Sequence, residues 1–516
     1  MQTTQPPKLL KNLHKLTQLP QSPTPFKTLH NLPTPNPTHP ILPLLRRAAQ
    51  HHHPINDLRA VHAHTITSGL SADPFGASRL IKFSLQTSPA YARAVFASID
   101  HPDVYTWNAM IAGHSPGPSA VRYYFNMRAR AAPPNNYTFA LLAKAAAGGG
   151  DMGRSLVREV HGQVVKCGVE ELLVVKNTLL RVYCELGLLK EAELMFGLSG
   201  NLDIISWNTM LSGYGRIGDL KIARNLFERM PKRSLASWTA LIDAFVTAGH
   251  PLDALRVFDR MRAQRVEPDA VNLVSVLKAC AETSMLHVGR SVHRYIDRKG
   301  LGREVNVVLA TALVDMYAKC GCVDAAVEVF DGFRGKADVV LWNAMIGGLT
   351  VNGHGKDAVD LLKRMREREI PPNGSTFLSV LCGCVHSGEV ECGVEVFESM
   401  KRDHGVEPQR EHYGCVANLL GRVGRTREAE SMLLGMPMEV TASQWGALMS
   451  ACKMHGDTEV EERVGRRMVK LEPHDGGRYV LLSNALAAAG RWDDARITRV
   501  AMEDQGVKKE AGCSFI

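Results

Sequence analysis

The stretch Ile205–Met230, ISWNTMLSGYGRIGDLKIARNLFERM, admits two readings that exclude each other. Within it, Gly213–Gly218 (GYGRIG) matches G-x-G-x-x-G, the fingerprint of a dinucleotide-binding loop. That chemistry needs a buried strand before the glycines and a helix opening after them, so that free N–H groups and the helix dipole meet a pyrophosphate. Ile205, Trp207, Met210 and Leu211 instead recur at helical spacing, and no β-branched residues alternate with polar ones. The nucleotide reading fails on context, so the glycines need another explanation.

Self-similarity supplies it. YTWNAMIAG from Tyr105, ISWNTMLSG from Ile205, ASWTALIDA from Ala236 and VLWNAMIGG from Val340 put four of the six tryptophans at one position. Counting Ile204 as residue one of a repeat, residue fifteen is Gly218, residue twenty Ala223 and residue twenty-four Phe227. The same positions hold Gly249, Ala254 and Phe258 from Leu235, Gly321, Ala326 and Phe330 from Val307, and Gly353, Ala358 and Leu362 from Val339. Repeats from Leu173 and Arg410 give Gly187, Ala192 and Phe196, and Gly424, Ala429 and Leu433. Chance does not align three positions six times.

Physically this is a helix–turn–helix repeat. The apolar residues around Trp form one face of helix A. The glycine ends that helix, because it enters the left-handed conformation without steric cost. The alanine lets helix B lie close to helix A, and the aromatic residue fills the seam. One such pair cannot bury its apolar face, whereas stacked neighbours can. The expected fold is all-α, an α-solenoid superhelix. Starts at Pro74, Val104, Asn136, Leu173, Ile204, Leu235, Ala270, Val307, Val339, Gly374 and Arg410 reproduce the pattern, with repeat lengths of 31, 35 and 37 residues among them.

The 516 residues are too many for a single core, and 45% hydrophobic with 22% charged residues is ordinary for a folded chain. No uninterrupted apolar run approaches the ~20 residues of a membrane span, so no membrane partner is expected. The eleven scattered cysteines form no C-x-x-C pair; CGC at Cys320–Cys322 and Cys382–Cys384 comes nearest. Reduced thiols fit better than a disulfide frame or a zinc site. Net charge is +9, but the first 56 residues contain no Asp or Glu, so charge alone does not establish a polyanion partner. That acid-free, Pro- and Thr-rich start resembles an organelle transit peptide over residues 1–40, with a plain disordered tail as the alternative. The histidines in HHH (His51–His53) and HAH (His62–His64) lack acidic or Cys partners at ligand spacing, so no metal and no cofactor is expected.

These residues carry a family resemblance. The chain resembles plant pentatricopeptide-repeat proteins of the mixed-length class, built from P, L and S repeats. VVLATALVDMYAKCGCVDAAVEVFDGF (Val307–Phe333) is similar to an S repeat. LVSVLKACAETSMLHVGRSVHRYIDRKG (Leu273–Gly300) and HGQVVKCG (His161–Gly168) are similar to L repeats, and REHYGCVANLLGRVGRTREAESMLLGMP (Arg410–Pro437) resembles the last short repeat before the tail. Residues 441–516, beginning TASQWGALMSACKMHGD and ending GCSFI, resemble the E extension of the class, as two degenerate repeats after an array over residues 41–440.

The resemblance implies sequence-specific binding of single-stranded RNA at about one base per repeat. In the family, residue five and the last residue of a repeat bond the base edge, and an apolar residue two helps to sandwich the base. Carried over, Asn177 with Asp203 favours U, and Asn208 with Ser234 leans to C. Thr239 with Asp269 and Thr311 with Asp338 favour G. Asn108 with Asn135 and Asn343 with Asn373 accept a pyrimidine, and Ser78 with Asp103 leans to a purine. Val174, Ile205, Val308 and Val340 would sandwich bases, while Ala140, Val274 and Leu378 at position five would be spacers. The expected target is R-Y-n-U-C-G-n-G-Y-n-n. Short Asn, Thr and Asp side chains suit base-edge hydrogen bonds, but the same residue types also cap helices, and both roles stay open here.

A zinc deaminase needs H-x-E and P-C-x-x-C. No His in the chain is followed two residues later by Glu, so the chain is not expected to be an enzyme. The resemblance implies an organellar C-to-U editing specificity factor, in mitochondrion or chloroplast. Its E extension would recruit a deaminase in trans, on a deaminase-bearing pentatricopeptide-repeat protein or through editing accessory factors. The alternatives are a binding-only splicing or transcript-stability factor, and a tetratricopeptide-like protein scaffold.

Overall fold

The computed structural model describes residues 39–507 apart from 50–53, 71–72, 116, 148–149, 198–199, 201 and 302–305. The transit-peptide expectation, His51–His53 and the terminal GCSFI lie outside the described residues. Twenty-eight helices and no strand occur among those described. They fall into two compact bodies with a boundary after Gly213. Within each body, most A helices pack on their own helix B and on the next helix A, so contacts run between neighbours along the chain. Each body is an all-α solenoid.

All eleven repeat starts read from the sequence are the first residues of helices. Two further pairs follow in the C-terminal body: Ala442–His455 with Thr458–Leu471, and Gly476–Ala488 with Trp492–Asp504.

Three positions explain the repeat. Gly187, Gly218, Gly249, Gly321, Gly353 and Gly424 have φ between 71° and 82°, the left-handed turn between helices A and B. In the repeat from Ala270 a serine does this work, with Ser284 at φ 53°. Ala192, Ala223, Ala254, Ala326, Ala358 and Ala429 are fully buried. The repeats from Ala270 and Gly374 go further: a Cβ added at Gly289 or Gly393 would overlap Met316 or Leu419.

The aromatic at position twenty-four does more than fill a seam within its repeat. It meets the tryptophan at position four of the next repeat, edge-on. Phe196–Trp207 ring centroids are 4.8 Å apart at 88°, Phe227–Trp238 4.7 Å at 69°, and Phe330–Trp342 4.9 Å at 86°. Phe96–Trp107 and Phe397–Tyr413 repeat the geometry. Such pairs contribute about 0.5–1.5 kcal/mol beyond the area they bury. Lys176 takes the tryptophan's place in the repeat from Leu173, buried, with Nζ 2.7 Å from Glu171 Oε2. Where helix B of the long repeats from Asn136 and Ala270 offers histidine instead, His161 and His293 bond Tyr183 and Tyr317 hydroxyls, each at 2.9 Å.

The GYGRIG glycines are packing and turn residues. Gly213 and Gly215 lie inside the helix Ile204–Ile217. A Cβ on Gly213 would sit 2.6 Å from Cys184 Sγ, and one on Gly215 2.5 Å from Ala244 Cβ. Ion pairs link successive B helices, as in Arg224–Asp253 (3.6 Å) and Arg364–Asp331 (2.9 Å). These exposed pairs add little stability.

Two substitutions test this scheme in urea denaturation. Ser284→Gly relieves the left-handed strain and raises the unfolding free energy by about 1 kcal/mol. Phe227→Ala lowers it by about 3 kcal/mol or more, with lost hydrogen-exchange protection concentrated in the adjoining repeats.

Candidate nucleic-acid interface

Most A helices begin with a side-chain cap; Leu172, before the helix Leu173–Glu185, is an exception. Asp103, Asn135, Ser234, Asp269, Asp338 and Asn373 are the N-cap residues of the following helices, each accepting from a backbone N–H in the first turn. Asp203 does the same, with Ser206 N–H 2.8 Å from Oδ1. These are the last residues of the repeats, so the capping role is real at every one.

The same side chains also meet residue five of their own repeats. Asn177 Nδ2 donates to both Asp203 carboxylate oxygens at 3.1 Å. Asn108 Nδ2 donates to Asn135 Oδ1 (3.1 Å), and Asn343 Nδ2 to Asn373 Oδ1 (3.3 Å). Residue five and the last residue are thus brought together in these three repeats. Thr239 and Asp269 are bridged by Asn272, whose Nδ2 lies 2.5 Å from Thr239 Oγ1 and whose N–H lies 2.9 Å from Asp269 Oδ1. Thr311 and Ser78 turn their hydroxyls onto Val307 and Phe75 carbonyls of their own helices. Their partners Asp338 and Asp103 cap Leu341 and Thr106 N–H groups. Asn208 belongs to the N-terminal body, where its Oδ1 is buried with no hydrogen-bond partner. Ser234 belongs to the C-terminal body and accepts from Ser237 N–H at 3.3 Å.

Sequence reasoning missed a third member of this cluster. Position three of helix A is polar and buried in Thr138, Ser206, Ser237, Asn272 and Thr376. Thr138 Oγ1 reaches Asn108 Oδ1 (2.8 Å), Ser206 Oγ reaches Asn177 Oδ1 (2.6 Å) and Thr376 Oγ1 reaches Asn343 Oδ1 (2.7 Å). By holding the amide oxygen, the hydroxyl fixes which end of each Asn faces the cap residue. Apolar Ala140 and Val274 at position five are followed by apolar Val175 and Leu309 at position three of the next repeat, whereas Leu378 is followed by buried His412 and Thr311 by buried Leu341.

Position two is the opposite case, apolar and exposed. Val174, Ile205, Val308 and Val340 are about half exposed, as expected for residues with nothing packed on them. Val271 and Tyr137, at position two of the repeats from Ala270 and Asn136, share that exposure and were not singled out from sequence. Isolated surface apolar residues are unremarked in folded proteins, but the same helical position repeating six times is a surface feature.

Electrostatics favours an ionised Asp203. Burial opposes the charge, yet hydrogen bonds from Ser206 N–H, the Ser206 hydroxyl and Asn177 outweigh it and hold the carboxyl below its ordinary range. No group of three or more His, Cys, Asp or Glu able to hold a metal lies among the described residues. His62 is engaged by the Tyr91 hydroxyl at 2.8 Å. No described helix is long and apolar enough to cross a membrane.

Known proteins share this organisation. The PPR repeat model matches residues 174–198, 205–235, 236–266, 308–336 and 375–404; the PPR repeat family model matches 337–386, and the E motif model 455–516. Two pentatricopeptide repeat-containing proteins of Arabidopsis thaliana are each 44% identical. One alignment covers 93% of this chain and 77% of the relative, the other 89% and 74%. The Arabidopsis pentatricopeptide repeat-containing protein CRR2, chloroplastic, is 33% identical over 92% of this chain and 69% of its own. The crystal structure of the pentatricopeptide repeat protein PPR10 in complex with an 18-nt psaJ RNA element shares the fold. Its TM-score is 0.53 at 17% identity, over 91% of this chain and 74% of that one. The chain belongs to the pentatricopeptide-repeat family.

Asp203→Ala, which removes cap and acceptor together, lowers stability by about 1 kcal/mol; Asp203→Asn, which keeps the cap, costs less. Because the carboxyl is depressed in the folded chain, its contribution is complete above the ordinary aspartate range, about pH 4, and is lost as pH falls below it. Denaturation midpoints of wild type and Asp203→Asn, compared from pH 7 down to pH 3, therefore converge at the acid end.

Proposed function

We propose that this pentatricopeptide-repeat chain binds single-stranded RNA in a sequence-specific way, with one base facing each residue-five and last-residue pair. The observation that carries the reading is the recurrent set of Asn, Thr, Asp and Ser side chains flanked by exposed apolar residues at position two. A polar pair offers donors and acceptors to a base edge, and the apolar neighbours offer its faces something to stack on. A wrong base leaves a desolvated group unpaired, at a cost of about 1–3 kcal/mol. The RNA complex named for PPR10 supports the choice of ligand class.

The finer reading is an organellar C-to-U editing specificity factor. Its assignments are those of the sequence code: Asn177 and Asp203 for U, Asn208 and Ser234 for C, Thr239 with Asp269 and Thr311 with Asp338 for G. The E motif at residues 455–516 supports recruitment of a deaminase in trans. Plastid or mitochondrial residence is supported by relatives whose names carry the word chloroplastic.

Two measurements test this. An oligoribonucleotide carrying R-Y-n-U-C-G-n-G-Y-n-n binds wild type, and exchanging its U for G weakens binding by about tenfold, the equivalent of one unpaired polar group. In Asn177→Ala/Asp203→Ala the two RNAs bind alike; an undiminished preference for U counts against the assignment. In plants lacking the protein, organellar transcripts lose one C-to-U event. Retained introns with editing intact would move the reading to splicing.

A further inference from the structure

Ten free cysteines lie among the described residues. One thiol–thiol contact between them joins two repeats: Cys382 Sγ lies 3.7 Å from Cys415 Sγ. Cys382 is residue nine of helix A in the repeat from Gly374, and Cys415 is residue six of helix A in the repeat from Arg410. The same two positions are bridged elsewhere. Asp243, residue nine from Leu235, is hydrogen-bonded by the hydroxyl of Ser275, residue six from Ala270. One junction further along, Asn418 and Ala447 occupy these positions and line an open cleft of about 150 Å³ together with Gly414, the residue at position five. The nine-to-six bridge thus lies beside the position-five row of the candidate interface.

We propose that Cys382 and Cys415 are a modification site, a dithiol that a small disulfide converts into a reversible cross-link between two adjacent repeats at the RNA-reading face. The location at that face rests on the function proposed above; the cross-link itself does not.

The chemistry balances. The Cys382 thiolate attacks one sulfur of a small disulfide such as glutathione disulfide and releases one glutathione thiolate. The Cys415 thiol then gives up its proton and attacks the Cys382 sulfur of the mixed disulfide, releasing the second glutathione. Two protein thiols are oxidised and one external disulfide is reduced. The sulfurs must close from 3.7 Å to about 2.05 Å.

Access and reactivity select this pair. Both residues are half-buried, whereas Cys184, Cys280, Cys384 and Cys452 are buried. The hydrogen bond from Cys415 brings Cys382 down to about 7, while Cys415 is held up. A thiol near that value is a competent attacking group at neutral pH. Cys384 also has a thiol neighbour, Cys392, but burial pushes it up to about 12. It supplies the internal control.

The test uses the full chain, incubated with glutathione disulfide, alkylated and mapped by mass spectrometry without reduction. A peptide joining Cys382 to Cys415, lighter by two hydrogens, is expected, and it disappears in C382S and in C415S but persists in C384S. The oxidised chain binds the R-Y-n-U-C-G-n-G-Y-n-n oligoribonucleotide several-fold more weakly, dithiothreitol restores binding, and C382S is insensitive to the oxidant. Separate alkylation of both thiols, stable glutathione adducts alone, or a Cys384–Cys392 product in place of the expected one overturns the proposal. Failure of the reduced chain to bind any RNA would overturn the proposed function and leave the cross-link result standing.

Discussion

The edge-on meeting of a phenylalanine from one repeat with the tryptophan of the next is the contact on which the rest depends. It sits between helix B and the following helix A, so it joins repeats instead of closing one. Phe196–Trp207, Phe227–Trp238 and Phe330–Trp342 keep centroid separations within 4.7–4.9 Å. That constancy sets the spacing of successive A helices, and with it the interval between successive polar pairs. A fully buried alanine at position twenty does the complementary work inside each repeat, holding helix B against helix A.

On the proposed function, capping and reading share the same atoms. Asp203 serves Ser206 N–H as a cap, receives both Ser206 and Asn177 side chains, and keeps its charge because those bonds outweigh burial. A cap is needed for helix stability whether or not a ligand is present. This explains why Asp, Asn and Ser recur at the last position: few side chains both accept a backbone N–H and remain able to present an acceptor. On that proposal, stability and recognition are coupled at each such residue, and changing the base preference of a repeat also changes a helix start.

Much of this was legible because it is periodic. Six of the eleven helix starts carry both the Gly and the Ala of the pattern, and each of those residues meets a local requirement: a left-handed turn or a close approach. The rest involves contacts between repeats, which periodicity within a repeat does not reveal. The partner of Phe227 was placed in its own seam, whereas the structure gives it to Trp238 of the next repeat. The buried hydroxyls of Thr138, Ser206 and Thr376 were overlooked because their partners Asn108, Asn177 and Asn343 lie in the preceding repeat. Val271 and Tyr137 were passed over because their repeats carry apolar residues at position five. Ser284 broke the glycine pattern, and only its backbone angle revealed that it fills the same turn. The terminal segments lie beyond what the structure describes.

The aromatic contact also has an evolutionary corollary. Packing couples the second half of one repeat to the first half of the next, whereas the proposed base reading couples residue five to the last residue of the same repeat. The module that folds and the module that reads are out of phase by half a period. Unequal recombination between repeats must then sever one of the two partnerships wherever it cuts: a crossover at the repeat boundary parts a Phe from its Trp, and one in the turn parts a polar pair. Arrays of this kind should diversify more readily by point substitution at the reading positions than by shuffling whole repeats.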